Sequence, residues 1–437
     1  LSFITGKTFD TGNFVFGLER VNQDEAFQRD TPWNFMQDSY YVYPTEAGGC
    51  QNQIDSPWDG TSQGGCYPIG SSRIPESRLP FYSQGTYLIG TPASGPNQAG
   101  LMIPHDGRTY NYAPVNYIQT PYERTNVFAE ANFELTDSIQ FSAEFRANQR
   151  TSAQQLAPLP YTGGDPMFEG FYTPPGEDAT TVAFTGISQD NFYLRQAVDN
   201  YNAANPSATQ LSYEPVINPR RRMIETNRRF EQDISQYQWN AALTGELDND
   251  MTWEVYVNEG YRSNTSTDYG QFAGSRLFNA LGPSADLDND GNPECYADIS
   301  NADTLIKGCV PLNLFGGGTV DAGGNPTATT LTQEMIDYVS LDTVDSIVQK
   351  QRLAGANISG YAFDLPGGEL GWSFGWSYWR QSLNNTLDSA KTIGAVTGNV
   401  GASTRGSLVN NSVFGEVFAP IYDNGEQVVN ISLGARY

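Results

Sequence analysis

Residues 126–145 read NVFAEANFELTDSIQFSAEF, and their side chains alternate apolar and polar on both sides of a short polar turn. Val127, Ala129, Ala131, Phe133 and Leu135 fall on one side of an extended chain, with Glu130, Asn132 and Glu134 on the other. After Leu135-Thr136-Asp137-Ser138 the pattern restarts: Ile139, Phe141, Ala143, Phe145 and Ala147 face one way, Gln140, Ser142, Glu144, Arg146 and Asn148 the other. Successive side chains of a strand point to opposite sides, so this spacing predicts a β-hairpin. Each arm reads as about ten residues, longer than the usual soluble strand of ~5–6 and close to the ~9–11 that a tilted strand needs to cross a bilayer.

The pattern returns three times. Tyr237, Trp239, Ala241 and Leu243 lead through Leu247-Asp248-Asn249-Asp250 into Met251, Trp253, Val255 and Val257. Ala354, Ala356, Ile358 and Ala362 lead through Leu365-Pro366-Gly367-Gly368 into Leu370, Trp372, Phe374, Trp376 and Tyr378. Val413, Val417, Ala419 and Ile421 turn at Asp423-Asn424-Gly425 and come back as Val429, Ile431, Leu433, Ala435 and Tyr437. A vaguer pair flanks Asp10-Thr11-Gly12-Asn13 and ends in Phe14 to Arg20, which brings the expectation to about ten strands.

Turns inside each hairpin are a few residues long, whereas the connections between hairpins are large excursions, 23–122, 151–233, 263–343 and 381–411. Compact domains rarely carry structureless loops above ~12–15 residues. Tiny turns alternating with long loops are instead the profile of an outer-membrane barrel, short on the periplasmic side and long outside. Period two alone does not say which face is outward, since a soluble barrel points its apolar face in and a membrane barrel points it out. Glu130, Glu144, Arg146, Glu254 and Glu416 lie mid-strand opposite the apolar face, as a wet lumen requires, and Trp239, Trp253, Trp372 and Tyr378 are placed like an interfacial girdle. The expected fold class is therefore all-β, a transmembrane antiparallel β-barrel in part. Two excursions are predicted to hold short helices, within SQDNFYLRQAVDNYNAANP from Ser188 and TQEMIDYVSLDTV from Thr332.

Composition agrees with this reading. The 437-residue chain is 38% apolar and 13% aromatic, with a formal net charge of −25. No run of ~18 apolar residues exists, which excludes a transmembrane helix, but a barrel spreads its apolar residues over every second position. The acidity argues against nucleic acid as a partner, because displacing phosphate counterions needs a basic footprint. It fits a hydrated surface, or more sharply a cation-attracting mouth. The chain opens at Leu1 with neither Met nor a charged-then-apolar leader and stops at Tyr437 in mid-strand, so it reads as a fragment of an exported protein.

Four cysteines fall as near pairs, Cys50 with Cys66 and Cys295 with Cys309. Local disulfides are expected, each stabilising by about 3 kcal/mol in the chain-entropy model, and an oxidising compartment with them. Neither spacing is a zinc pattern.

Asp286, Asp288, Asp290, Asn292 and Glu294 place oxygens at alternate positions around Gly291, like the first half of a calcium loop. Ala297 stands where the bidentate Glu of an EF-hand would be, so the candidate is a different oxygen cage holding a structural Ca2+. Its bland counterpart is a solvated acidic turn. Arg220, Arg221, Arg222, Arg228 and Arg229 cluster before the Tyr237 strand, as an anion clamp or, more simply, as partners for the surplus of carboxylates. His105 is the only histidine and sits in a turn-like MIPHDG, which offers no triad and no zinc site.

Several stretches carry a resemblance: TPYERTNVFAEANFELTDSIQFSAEFRANQR (120–150), QYQWNAALTGEL (236–247), CVPLNLFGGG (309–318) followed by TQEMIDYV (332–339), and NSVFGEVFAPIYDNGEQVVNISLGARY (411–437). In order and spacing, over nearly the whole chain, they resemble the barrel portion of a TonB-dependent outer-membrane receptor. The resemblance implies a Gram-negative outer membrane, about 22 strands closed around a plug, and outer loops that help to bind a scarce nutrient. It also implies import driven by TonB with ExbB and ExbD, and no enzymatic activity. The plug is expected before Leu1 and the closing strands after Tyr437. The nutrient class stays open among siderophores, vitamins, oligosaccharides and peptides, with the aromatic, acidic loops leaning toward a carbohydrate or other organic nutrient. Two readings from other classes are a secreted calcium-dependent adhesin or carbohydrate-binding β-protein, and a barrel-borne surface hydrolase, the latter poorly served by a single histidine.

Overall fold

The period-two segments form one antiparallel sheet. The computed structural model describes residues 1–437 except 33, 38, 43–65, 69, 165–185, 249, 317, 322–323 and 399–400. Ten strands follow one another in space as in sequence: β1 (Ser2–Phe9), β2 (Gly12–Gln23), β3 (Tyr122–Thr136), β4 (Ile139–Leu156), β5 (Arg228–Leu247), β6 (Met251–Tyr269), β7 (Thr343–Leu365), β8 (Gly368–Thr386), β9 (Thr404–Asp423) and β10 (Val428–Arg436). The sheet is open, with β1 and β10 at its two edges and every residue of both strands exposed.

Register extends the alternation of residues 126–145 across the whole sheet. Phe133, Phe141, Leu243, Val255, Ala356, Trp376 and Val413 share one row from β3 to β9. The adjacent row, on the opposite face, is Asn132, Ser142, Ala242, Tyr256, Gly355, Ser377 and Ser412. A one-residue slip anywhere would exchange the faces, so a consistent hydropathy pattern specifies the pairing strongly.

Strands β3 to β9 run from 15 to 23 residues, well beyond the ten or so that alternation marks out. The hydrogen-bonded ladder continues past the apolar band into a region where both faces are polar, and there no hydropathy period exists to be read. Trp239 and Tyr378, two of the residues read as an interfacial girdle, accordingly lie in mid-strand, at the upper edge of the apolar band.

Aromatic rings lie flat across glycines on neighbouring strands, Tyr256 over Gly355 and Phe414 over Gly375. A Cβ at Gly355 would sit 2.5 Å from the Tyr256 ring. Gly355→Val is expected to destabilise the sheet by about 1–3 kcal/mol through overpacking, whereas Gly434→Ala, whose new Cβ meets nothing closer than 3.8 Å, stays near wild type. Urea unfolding midpoints compare the two.

The dry core is elsewhere. Among the described residues, every buried apolar side chain except Ala153 and Pro420 lies outside the ten strands, in the excursions. Leu79, Ile89 and Met102 from the first excursion, Leu159, Leu194 and Val216 from the second, and Phe272, Leu312 and Val339 from the third belong to one cluster. Backbone bonds stitch the excursions together, Arg78 with Arg220 in both directions and Ser188 N to Leu281 O, and Ser77 Oγ donates to Leu314 O at 2.6 Å. The helices expected here are present as α1 (Phe192–Ala204) and α3 (Gln333–Val339), with α2 (Gly274–Ala280) between them. Thr332 caps α3 through Met335 N, and Asn191 caps α1 through Tyr193 N and Leu194 N. The excursions therefore build a cap with a core of its own.

A strap from the last excursion ties this cap to the sheet. Lys391 Nζ lies 2.5 Å from Asp268 Oδ2 on β6 and 2.8 Å from Asp345 Oδ2 on β7, and the strap continues to a β-bridge between Val396 and Ala273. Burial alone would push the ammonium down, but the two carboxylates hold its pKa above the ordinary lysine value. The contribution is complete below the unfolded-state pKa and is lost as pH rises through the higher folded value. Lys391→Met leaves two carboxylates unpaired in a largely buried place, an expected cost of about 3 kcal/mol. Hydrogen exchange in residues 387–398 would report it as loosening of the strap.

Candidate functional site

A trough of about 1360 Å³ runs along one face of the sheet. Strands from β3 to β9 line it together, so the sheet curls with this face concave. The lining is a lattice of carboxamides and guanidiniums, among them Asn126, Arg146, Gln238, Arg262 and Gln351. Asn126 Nδ2 donates to Glu19 Oε2 at 2.6 Å, Asn357 Nδ2 to Glu254 Oε2 at 3.0 Å and Arg262 Nη1 to Gln349 Oε1 at 3.3 Å. Arg124 pairs with Glu19 and Arg146 with Glu144. Register puts Glu130, Glu144, Arg146, Glu254 and Glu416 on this side, as alternation predicted. Arg124, Arg150 and Arg262 also face it; each occupies a polar-parity position that the same reading could have marked.

The other face is greasy and bare. Val257 is 42% exposed, Phe374 55% and Ile431 48%, where contiguous apolar surface on a soluble monomer would ordinarily be covered. From Leu370 to Tyr378 the apolar side of β8 spans roughly 27 Å at ~3.4 Å per residue, comparable to the ~25 Å apolar band of outer-membrane barrels. It ends above at Arg380 and the Arg352–Glu259 ion pair, 3.2 Å apart, with Tyr237 stacked on Tyr261 at 5.4 Å just beyond.

In the cap, three of the five residues singled out in the acidic turn come together. Carboxylate oxygens of Asp286, Asp288 and Asp290 lie within 4.8 Å of one another. Asp286 accepts from the backbone N–H groups of Asp290 (3.1 Å) and Gly291 (3.0 Å), with Asn289 and Gly291 in the left-handed conformation that the turn requires. Asn292 donates its amide to Asp290, and Glu294 accepts from the Tyr296 hydroxyl at 2.8 Å. That bond, burial and the carboxylates around it push the Tyr296 pKa up to about 12. None of the three aspartates has a cationic partner among the described residues. Three hard, anionic oxygen donors suit Ca2+. The turn is anchored by the Cys295–Cys309 disulfide, Cα–Cα 5.8 Å. Cys66 begins a short strand, Cys66–Pro68, and Cys50 lies outside the described residues.

The arginine cluster divides. Arg221 is fully buried and held by Glu225 through two bonds of 2.6 and 2.8 Å, Arg229 pairs with Glu231 at 2.8 Å, and Arg220 donates to Ser72 Oγ at 3.3 Å. Arg222 and Arg228 have no carboxylate within ion-pair distance among the described residues. His105 is a turn residue that accepts at Nδ1 from Gly107 N, and burial together with the Arg78 charge holds its pKa below the ordinary histidine value.

No family model matches the chain, and no curated protein matches it. Among solved structures, it is similar to the open form of the ferric-catecholate import receptor Fiu from E. coli K12, with 10% identity and a TM-score of 0.30 over 100% of this chain and 51% of that one. The chain thus spans about half the length of that receptor.

Proposed function

We propose that this chain is the wall and outer cap of an outer-membrane β-barrel receptor of the TonB-dependent type. In this reading it is a Gram-negative importer of a scarce nutrient rather than an enzyme. One observation carries it: the sheet leaves its apolar face bare and lines its concave side with amides and charges, while the water-free core is built by the excursions. Lipid is the natural cover for the first face, and a hydrated lumen for the second. A plug within the lumen would connect to TonB, ExbB and ExbD, and the cap with the upper trough would gather the ligand outside. The amide-rich lining favours a polar organic nutrient, an oligosaccharide among them, since carboxamides both donate and accept hydrogen bonds. Fractionation tests the placement: the protein should enter the outer membrane and require detergent for release, and free solubility without detergent would overturn it in favour of a secreted adhesin. Ligand screening on the detergent-purified protein then addresses the substrate.

Within the same reading, the convergence of Asp286, Asp288 and Asp290 favours a structural calcium ion that stiffens the stapled turn. Calcium is expected to raise the melting temperature of wild type over EGTA, and Asp288→Asn to remove most of the difference. Equal melting curves with and without calcium would reduce the motif to a solvated turn.

A further inference from the structure

Arg222 and Arg228 stand out in a chain with 49 acidic residues against 24 basic ones. Arg222 is 4% exposed. Its Nη1 donates to Pro158 O at 2.8 Å, and its guanidinium lies 5.4 Å from the Tyr110 ring centroid and 5.8 Å from that of Tyr112. Its Nε is buried with no partner, and so is the Nε of Arg228. The charges pressing on Arg222 include Arg228 and Arg73 and no carboxylate. Burial and that repulsion push its pKa down to about 10.

Buried N–H groups without acceptors each cost about 1–3 kcal/mol, more when charged, and call for a bound water or ion. Ring faces offset part of the charge but leave the Nε of Arg222 without a hydrogen-bond acceptor. The one carboxylate whose charge reaches Arg228, Asp268, lies outside ion-pair distance of it and is held by Lys391, and guanidiniums left in this state are electrostatically costly away from water. Arg228 begins β5 on the parity of Gln236 and Gln238, so it stands on the trough side, with Arg150 further along the same wall.

We infer that Arg222 and Arg228 form an oxyanion-binding site where the cap meets the upper trough, receiving a carboxylate or phosphate group. The two guanidiniums supply charge-assisted donors, and Tyr110 and Tyr112 back the first of them with ring faces. The site stands on cap and wall residues alone and is independent of the import reading.

Calorimetry on the detergent-purified protein in chloride buffer tests it, with inorganic phosphate and citrate as separate probes. At least one should bind once per chain, and which one does identifies the oxyanion. Arg222→Met and Arg228→Gln should each weaken binding by ~10-fold or more, the loss of a charge-assisted bond, while Arg229→Met should leave it unchanged. Without anion, Arg222→Met should melt no lower than wild type, because an unpaired buried charge has gone. Arg228→Gln, at the less buried position, keeps the test open if Arg222→Met misfolds. Absence of binding by both anions at millimolar concentration, or equal affinity in both variants and wild type, overturns the site.

Discussion

On the proposed lipid-facing reading, Val255→Arg is expected to stop the protein from accumulating in the outer membrane. Val255 sits between Leu243 and Ala356 in the apolar row, midway along the apolar side of β6 from Met251 to Glu259, and is 40% exposed. An arginine near the bilayer midplane costs about 2–4 kcal/mol, a large part of a typical net stability of ~5–15 kcal/mol. Asn258, further along the same strand, lies on the trough side, where Asn258→Arg should cost under ~0.5 kcal/mol. Heat-modifiable migration and protease resistance of outer-membrane fractions would separate the pair. On a water-soluble protein Val255→Arg would be harmless, so equal yields of the two variants would refute a lipid-facing sheet.

Phe272→Ala should melt the cap without unfolding the sheet. Phe272 is completely buried in the cluster shared by three excursions, and its N–H donates to Thr397 Oγ1 at 2.8 Å. Truncation of such a ring costs about 3–5 kcal/mol in lost burial and residual cavity. Because the excursions share one core, hydrogen exchange should accelerate around Ile89, Met102 and Leu194 as well as near residue 272, while amides of β3 to β6 in the apolar band keep their protection. Acceleration confined to residues near 272 would mean that the excursions are separate loops.

Different parts of the molecule were legible to different degrees. Residues 126–145 contain the hairpin, its faces and its register, because a half-buried strand writes period two into its own sequence. The upper halves of β3 to β9 do not, since ladder hydrogen bonds are made by backbone and leave no trace where both faces are wet. Asp286, Asp288 and Asp290 are recognisable by spacing, yet only the folded turn shows Glu294 engaged by Tyr296 and Asn292 by its neighbour. The five arginines near residue 225 look alike in sequence; Glu225 and Glu231 claim two of them, and Arg222 and Arg228 are left without such partners by where the chain brings Tyr110, Pro158 and the wall.

By itself the sequence determined an all-β chain of about ten strands in hairpin order, with one greasy and one polar face, because local alternation and turn chemistry are properties of neighbouring residues. Tertiary structure alone decided that the polar face is the concave one and that Leu79, Leu194, Phe272 and Val339, far apart in the chain, share a core. The side toward which a sheet curls, and the contacts among long excursions, depend on residues that meet only after folding, and no periodicity records them.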